Sequence, residues 1–126
     1  MPGVTYDTGA LIAAERSDPS IWALHRRTLE QGLVPTVPAG VLAQSWRGGP
    51  QPQMSRLLAG CRIEYLDEEQ ARAAGTACKI AGSSDIVDAS VVVGAAARGD
   101  LIATSDRADL EQIRSALGVQ IRLQPI

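Results

Sequence analysis

Aspartates supply most of the chemistry this sequence can offer. Asp7 follows the short triplet Val4-Thr5-Tyr6, Asp85 and Asp88 stand three residues apart at the entrance of a segment rich in Val and Ala, and Asp106 and Asp109 repeat that spacing after Leu101-Ile102-Ala103-Thr104. Three residues is close to one helical turn, so each pair shares a face where its segment is helical. Carboxylates rarely enter a protein interior without something to compensate their charge, and gathered together they raise one another's pKa. Such a group is an all-oxygen donor set, which suits a hard divalent cation, Mg²⁺ or Mn²⁺. The chemistry it offers is hydrolysis by a metal-activated water.

Aspartate also has a bland use. It is a favoured helix N-cap, and a first-turn carboxylate is welcome at the positive end of the helix dipole. Asp85 or Asp88 can cap the Val-rich helix, and Ser105 or Asp106 the next one, with Asp109 in its first turn. Capping leaves Asp7, which follows a strand, without an account. Rival chemistries fare worse. A Ser-His-Asp hydrolase needs a histidine, and the only one, His25, lies between Trp22 and Leu29 of an amphipathic stretch, where it reads as a boundary residue. No GxGxxG or GxxxxGK[ST] loop is present. An aspartyl-phosphate phosphatase needs a second Asp two residues after the first, where this chain has Gly9. A receiver-like module expects paired acids after its first strand and a late lysine; the only lysine is Lys79. Cys61 and Cys78 lack a CxxC and neighbouring histidines, so they read as buried thiols rather than a zinc site or a disulfide.

The elements that must position the aspartates alternate. Val4–Tyr6 reads as a strand and Thr8–Ala14 as the helix after it. Asp18-Pro19 opens a second helix carrying Ile21, Trp22, Leu24 and Leu29 and stopped by Gly32. Val34–Val37 reads as a strand, weakened by Pro35. A helix from Pro38-Ala39 to Gly48-Gly49 carries Val41, Leu42 and Trp46 on its core side, and Arg62–Leu66 is the third strand. Asp67 and Gln70 resemble a capping box for a helix closed by Gly82. The run from Asp88 to Arg98 is Ala-rich and stopped by Gly99, which favours helix despite Val91-Val92-Val93. Strand Leu101–Thr104, helix Asp106–Leu117 and strand Gln120–Leu123 complete the chain. Strands separated by helices imply a three-layer α/β/α arrangement around a parallel sheet. Ligands in such folds bind beyond the carboxyl ends of the strands. If the strands before Asp7 and Asp106 are neighbours, all five aspartates face one crevice.

With 126 residues, 45% of them hydrophobic, the chain suits one domain over 1–126. No apolar run reaches membrane-spanning length and no basic leader precedes one, so a soluble cytoplasmic protein is expected. The net charge of −2 advertises no general affinity for nucleic acid. Eleven arginines against one lysine, with no Asn or Phe, look like a GC-rich coding bias rather than function.

Three stretches carry a resemblance. Val4-Thr5-Tyr6-Asp7-Thr8-Gly9-Ala10-Leu11-Ile12-Ala13, Asp85-Ile86-Val87-Asp88-Ala89-Ser90-Val91-Val92 and Ala103-Thr104-Ser105-Asp106-Arg107-Ala108-Asp109-Leu110 together resemble a PIN domain, specifically the VapC-like toxins of toxin–antitoxin pairs. The resemblance implies sheet order 3-2-1-4-5, carboxylate-bound Mg²⁺ or Mn²⁺, and endonucleolytic cleavage of RNA. It implies catalytic and metal-binding roles for Asp7, Asp88, Asp106 and Asp109; Asp85, from its spacing to Asp88, is a further candidate metal ligand. It also implies an antitoxin partner and a homodimer. One position departs from the pattern. The family usually has Glu in the helix after the second strand, and Ala39-Gly40-Val41-Leu42-Ala43-Gln44-Ser45-Trp46-Arg47 has Gln44 there, which keeps a carbonyl oxygen for the metal but loses a charge. Arg47 and Arg107 are candidates to guide the RNA backbone past the acidic pocket. The alternative is a PIN scaffold of weak or no activity that binds protein or RNA, with Gln44 as its mark.

Overall fold

A computed structural model describes residues 2–126. In chain order the elements are β1 (Val4–Tyr6), α1 (Thr8–Glu15), α2 (Pro19–Glu30), β2 (Thr36–Pro38), α3 (Ala39–Ser45), α4 (Pro52–Leu58), β3 (Arg62–Glu64), α5 (Glu68–Ala81), α6 (Ile86–Arg98), β4 (Leu101–Thr104), α7 (Ala108–Leu117) and β5 (Leu123–Pro125). All strand pairs are parallel and the sheet order is β3-β2-β1-β4-β5, the PIN-like order expected above. Right-handed crossovers put α1 to α4 on one face, because the chain steps from β1 outward to β3, and α5 to α7 on the other, because it then returns past β1 to β4 and β5. The packing agrees: α1 touches α2, α3 and α4, while α5, α6 and α7 touch one another, and α3 meets α6.

Local chemistry explains the helix ends. Asp18 accepts from Ser20 N–H (2.8 Å) ahead of Pro19, which occupies the first turn of α2. Asp67 accepts from Gln70 N–H (2.8 Å) and caps α5. Gly82 and Gly99 take left-handed φ of 66° and 72°, which ends α5 and α6 at little steric cost. The core between sheet and helices holds Tyr6, Leu11, Ile21, Met54, Ile102 and Leu110.

Several expectations are corrected. β2 begins at Thr36, because Pro35 has no N–H to donate and Val34 is exposed; Pro35 contributes only its carbonyl, to Arg62 N–H at 2.8 Å. β3 ends at Glu64, leaving Tyr65 and Leu66 exposed. Helix α3 stops at Ser45, and Trp46 is extended and 41% exposed, not on the core side. Helix α4 goes unread in the sequence: Pro52 starts it and Met54 and Leu57 bury, but seven residues after a Gly-Gly-Pro loop show too little periodicity. β5 lies at Leu123–Pro125, because the Ile121 carbonyl is taken by the Arg114 guanidinium (2.7 Å) and pairing with β4 starts at Arg122. His25 is buried, not at a boundary, with Nδ1 2.8 Å from Tyr6 Oη and its ring edge-on to Trp22.

Helix α6 is tied down at its far end. Arg98 pairs with Glu64 on β3 and with Asp100 (2.9 Å), and donates to Thr5 Oγ1 on β1 (2.9 Å), which itself donates to Asp100 (2.8 Å). Among the described residues no single helix is long and apolar enough to cross a membrane.

Candidate metal centre

Because β1 and β4 are neighbours with Tyr6 opposite Ala103, the chain leaves both strands at the same level. Asp7 donates its N–H to the Ala103 carbonyl (3.3 Å) and is 6% exposed. Gly9, in the first turn of α1, lies against Ser105 after β4, so closely that a Cβ there would force the Ser105 hydroxyl to move. The sequence reading found no cap role for Asp7; the structure gives it one. β1 runs into α1 without a loop, and Asp7 both closes the strand and caps the helix, accepting from Ala10 N–H at 2.9 Å. Burial pushes its carboxyl up, the hydrogen bond from the Ala10 N–H partly offsets this, and the charge of Asp106 raises it further.

Asp85 caps α6, accepting from Asp88 N–H at 2.9 Å. Asp88 sits in the first turn of α6, half-buried, and its carboxyl is pushed up to about 7 by burial and by the charges of Asp85, Asp109 and Asp7. Asp109 lies in the first turn of α7. One ligand oxygen from each of Asp85, Asp88 and Asp109 lies within 4.8 Å of the others. Capping and clustering are thus compatible: Asp85 does both. Asp106 is exposed, donates its N–H to Thr104 Oγ1 (3.0 Å) and accepts from Ala108 N–H (3.2 Å); its charge reaches Asp7, and it stands outside the tight triad.

The remaining candidates lie around the rim. Gln44 is exposed, and its Oε1 accepts from Thr8 Oγ1 at 2.6 Å. Arg47, two residues past the end of α3, folds back on the chain, donating to the Trp46 carbonyl (2.8 Å) and more weakly to that of Ala43 (3.4 Å). Arg107 is exposed at the start of α7, and its charge is felt by Glu111. Thr8 and Thr104 are the polar contacts the sequence reading missed. Both flank an aspartate-bearing turn, but nothing in their spacing names their partners.

The donor set fits a hard divalent cation. Its oxygens are carboxylate oxygens, three converge, and among the described residues none of the five aspartates forms an ion pair with Arg, Lys or His. Fold and site define a parallel α/β protein with an uncompensated carboxylate cluster beyond the carboxyl ends of its two central strands. No protein-family model matches the sequence, and no curated protein matches it. Among solved structures, 98% of the chain aligns with 98% of a chain from the crystal structure of VapBC2 from Rickettsia felis bound to a DNA fragment from their promoter, with a TM-score of 0.68 at 15% identity. That likeness is one of fold.

Proposed function

We propose that this protein is a Mg²⁺- or Mn²⁺-dependent endoribonuclease and the VapC-like toxin of a toxin–antitoxin pair. The observation that carries the reading is the convergence of Asp85, Asp88 and Asp109 oxygens within 4.8 Å, none of them in an ion pair among the described residues, beside the buried Asp7. Asp85, Asp88 and Asp109 would hold the cation, with Asp7 and Asp106 completing the acidic set. Bound there, the ion supplies Lewis acidity toward a phosphodiester and lowers the pKa of water. Asp7, whose burial makes its carboxylate more basic, orients the attacking water and accepts its proton. Water oxygen bonds to phosphorus in line, the bond from phosphorus to the 3′ oxygen breaks, and a proton returns to that oxygen, leaving a 5′-phosphate and a 3′-hydroxyl. The fold neighbour comes from a VapBC2 complex, which supports an antitoxin partner here; a homodimer is part of the same proposal.

Gln44 in the family's Glu position favours a second reading, a PIN scaffold of little activity. A cleavage assay on purified protein, with and without chelator, separates the two. We expect divalent-dependent cleavage that is lost in Asp88→Asn and Asp7→Asn while the circular dichroism is unchanged. Full activity in either variant, or cleavage that ignores the chelator, removes the metal mechanism; a wild type that binds Mn²⁺ and cuts no RNA is the scaffold.

A further inference from the structure

We propose that Gln44 serves this site as a hydrogen-bond donor to a phosphate oxygen of the RNA backbone, its amide oriented by Thr8, and not as a ligand to the cation; the inference rests on the nuclease reading above. A glutamine amide has one acceptor oxygen and two N–H donors. Thr8 Oγ1 donates to Gln44 Oε1 at 2.6 Å, so the oxygen a cation would need is turned to α1. The Nε2 group is the free end, in an exposed side chain and with no hydrogen bond to another described residue.

Its position is fixed from two sides. Thr8 directly follows Asp7. Gly40 lies one turn before Gln44 on the same stripe of α3, and a Cβ there would sit 3.2 Å from Val87 Cγ2, so α3 packs closely on the first turn of α6 next to Asp88. Gln44 therefore stands at the rim between the Asp7 turn and the start of α6.

A polyanion approaching five unpaired carboxylates is repelled, and of the two arginines nearest in sequence to the site only Arg107 has an exposed side chain without a hydrogen bond to another described residue. Arg47 is turned back on its own chain, onto the carbonyls of Trp46 and Ala43. A neutral N–H donor gives the backbone a contact that fixes its register without displacing the cation from the cluster. A glutamate at the same place would offer only acceptors.

The test measures two affinities on the full chain: Mn²⁺ alone by calorimetry, and a short single-stranded RNA by fluorescence anisotropy with Ca²⁺ in place of Mn²⁺. We expect Gln44→Ala to lose about tenfold in RNA affinity, the size of a hydrogen bond to a charged group, with Mn²⁺ affinity unchanged. Gln44→Glu binds Mn²⁺ more tightly and RNA more weakly. Thr8→Val reproduces part of the RNA loss and Thr8→Ser restores it, which marks Thr8 as a positioning residue. Equal loss of Mn²⁺ affinity in Gln44→Ala makes Gln44 a ligand and overturns the inference, as does no change in either affinity. A wild type that binds Mn²⁺ but no RNA overturns the nuclease reading together with this one.

Discussion

Asp88 carries the largest electrostatic load in the cluster. Burial and the charges of Asp85, Asp109 and Asp7 raise its carboxyl from 3.8 to about 7, so across that interval the folded protein holds a proton that the unfolded chain has released. The unfavourable contribution is absent below the unfolded value, grows with pH and is complete above about 7. His25 works in the opposite direction. Burial lowers its pKa from 6.5, so it costs stability as pH falls below that value, and the clean window for Asp88 lies above it. Metal-free protein is therefore expected to melt higher at about pH 6.5 than at about pH 8. Asp88→Asn flattens that slope and raises the metal-free melting temperature at the higher pH by roughly 4 °C. On the proposed function Mn²⁺ competes with the proton on Asp88, so its stabilisation of the wild type is expected to grow with pH and to shrink in the variant. Thermal shift at two pH values, with and without Mn²⁺, checks all of this; a slope of the same size in Asp88→Asn would place the tension elsewhere.

Helix α6 brings Asp88 to the site, and the opposite end of the same helix holds it there. Arg98 is mostly buried, with Glu64 on β3 and Asp100, just ahead of β4, as partners. Removing one partner of a buried ion pair leaves charge without compensation, so Arg98→Ala is expected to cost about 3 kcal/mol of unfolding free energy and to weaken Mn²⁺ binding as α6 loosens. Urea unfolding and calorimetry measure the two effects, and Arg98→Lys, lacking the planar fork, recovers only part. The links from Arg98 to Glu64 and Thr5 were not legible in the sequence, because they form only when α6 packs over β3 and β1; only Asp100, two residues on, is a neighbour along the chain. What was legible is what neighbours along the chain decide: Asp18-Pro19, Asp67 with Gln70, and the stops at Gly82 and Gly99 mark their helix ends correctly. Errors fall where a distant group overrides local pattern. Arg114 takes the Ile121 carbonyl and shifts β5, the β2–β1–β4 pairing buries Tyr6 and with it His25, and short α4 depends on packing against α1. The aspartates could be gathered from sequence because they sit at strand and helix ends, where parallel topology dictates the edge; that Asp85, Asp88 and Asp109 form the tight set, with Asp106 beside Asp7, required the side-chain geometry.

Over the whole surface, cations are outnumbered by acids and about half of them are engaged. The chain carries 12 Lys and Arg against 14 acids. Arg72, Arg98 and Arg114 are in ion pairs, Arg56 stacks over Trp22 at 4.2 Å, Arg62 donates to Thr36, Arg122 to Gln124, and Arg47 to the Trp46 carbonyl. Salt dependence of nucleic-acid binding counts the phosphates that protein cations neutralise. A surface with few free arginines neutralises few, and on the proposed function much of the attraction comes from divalent ions between carboxylates and phosphates. At fixed Ca²⁺, the affinity of the purified protein for single-stranded RNA is thus expected to fall only gently with KCl, with a log–log slope of about −2. Chelation should abolish binding rather than trim it, since the bare cluster repels the backbone. Anisotropy titrations across a range of KCl, repeated with chelator, give both numbers. A steep slope that survives chelation would mean that a basic surface, not the carboxylate cluster, holds the RNA, and the metal-centred reading would lose its ground.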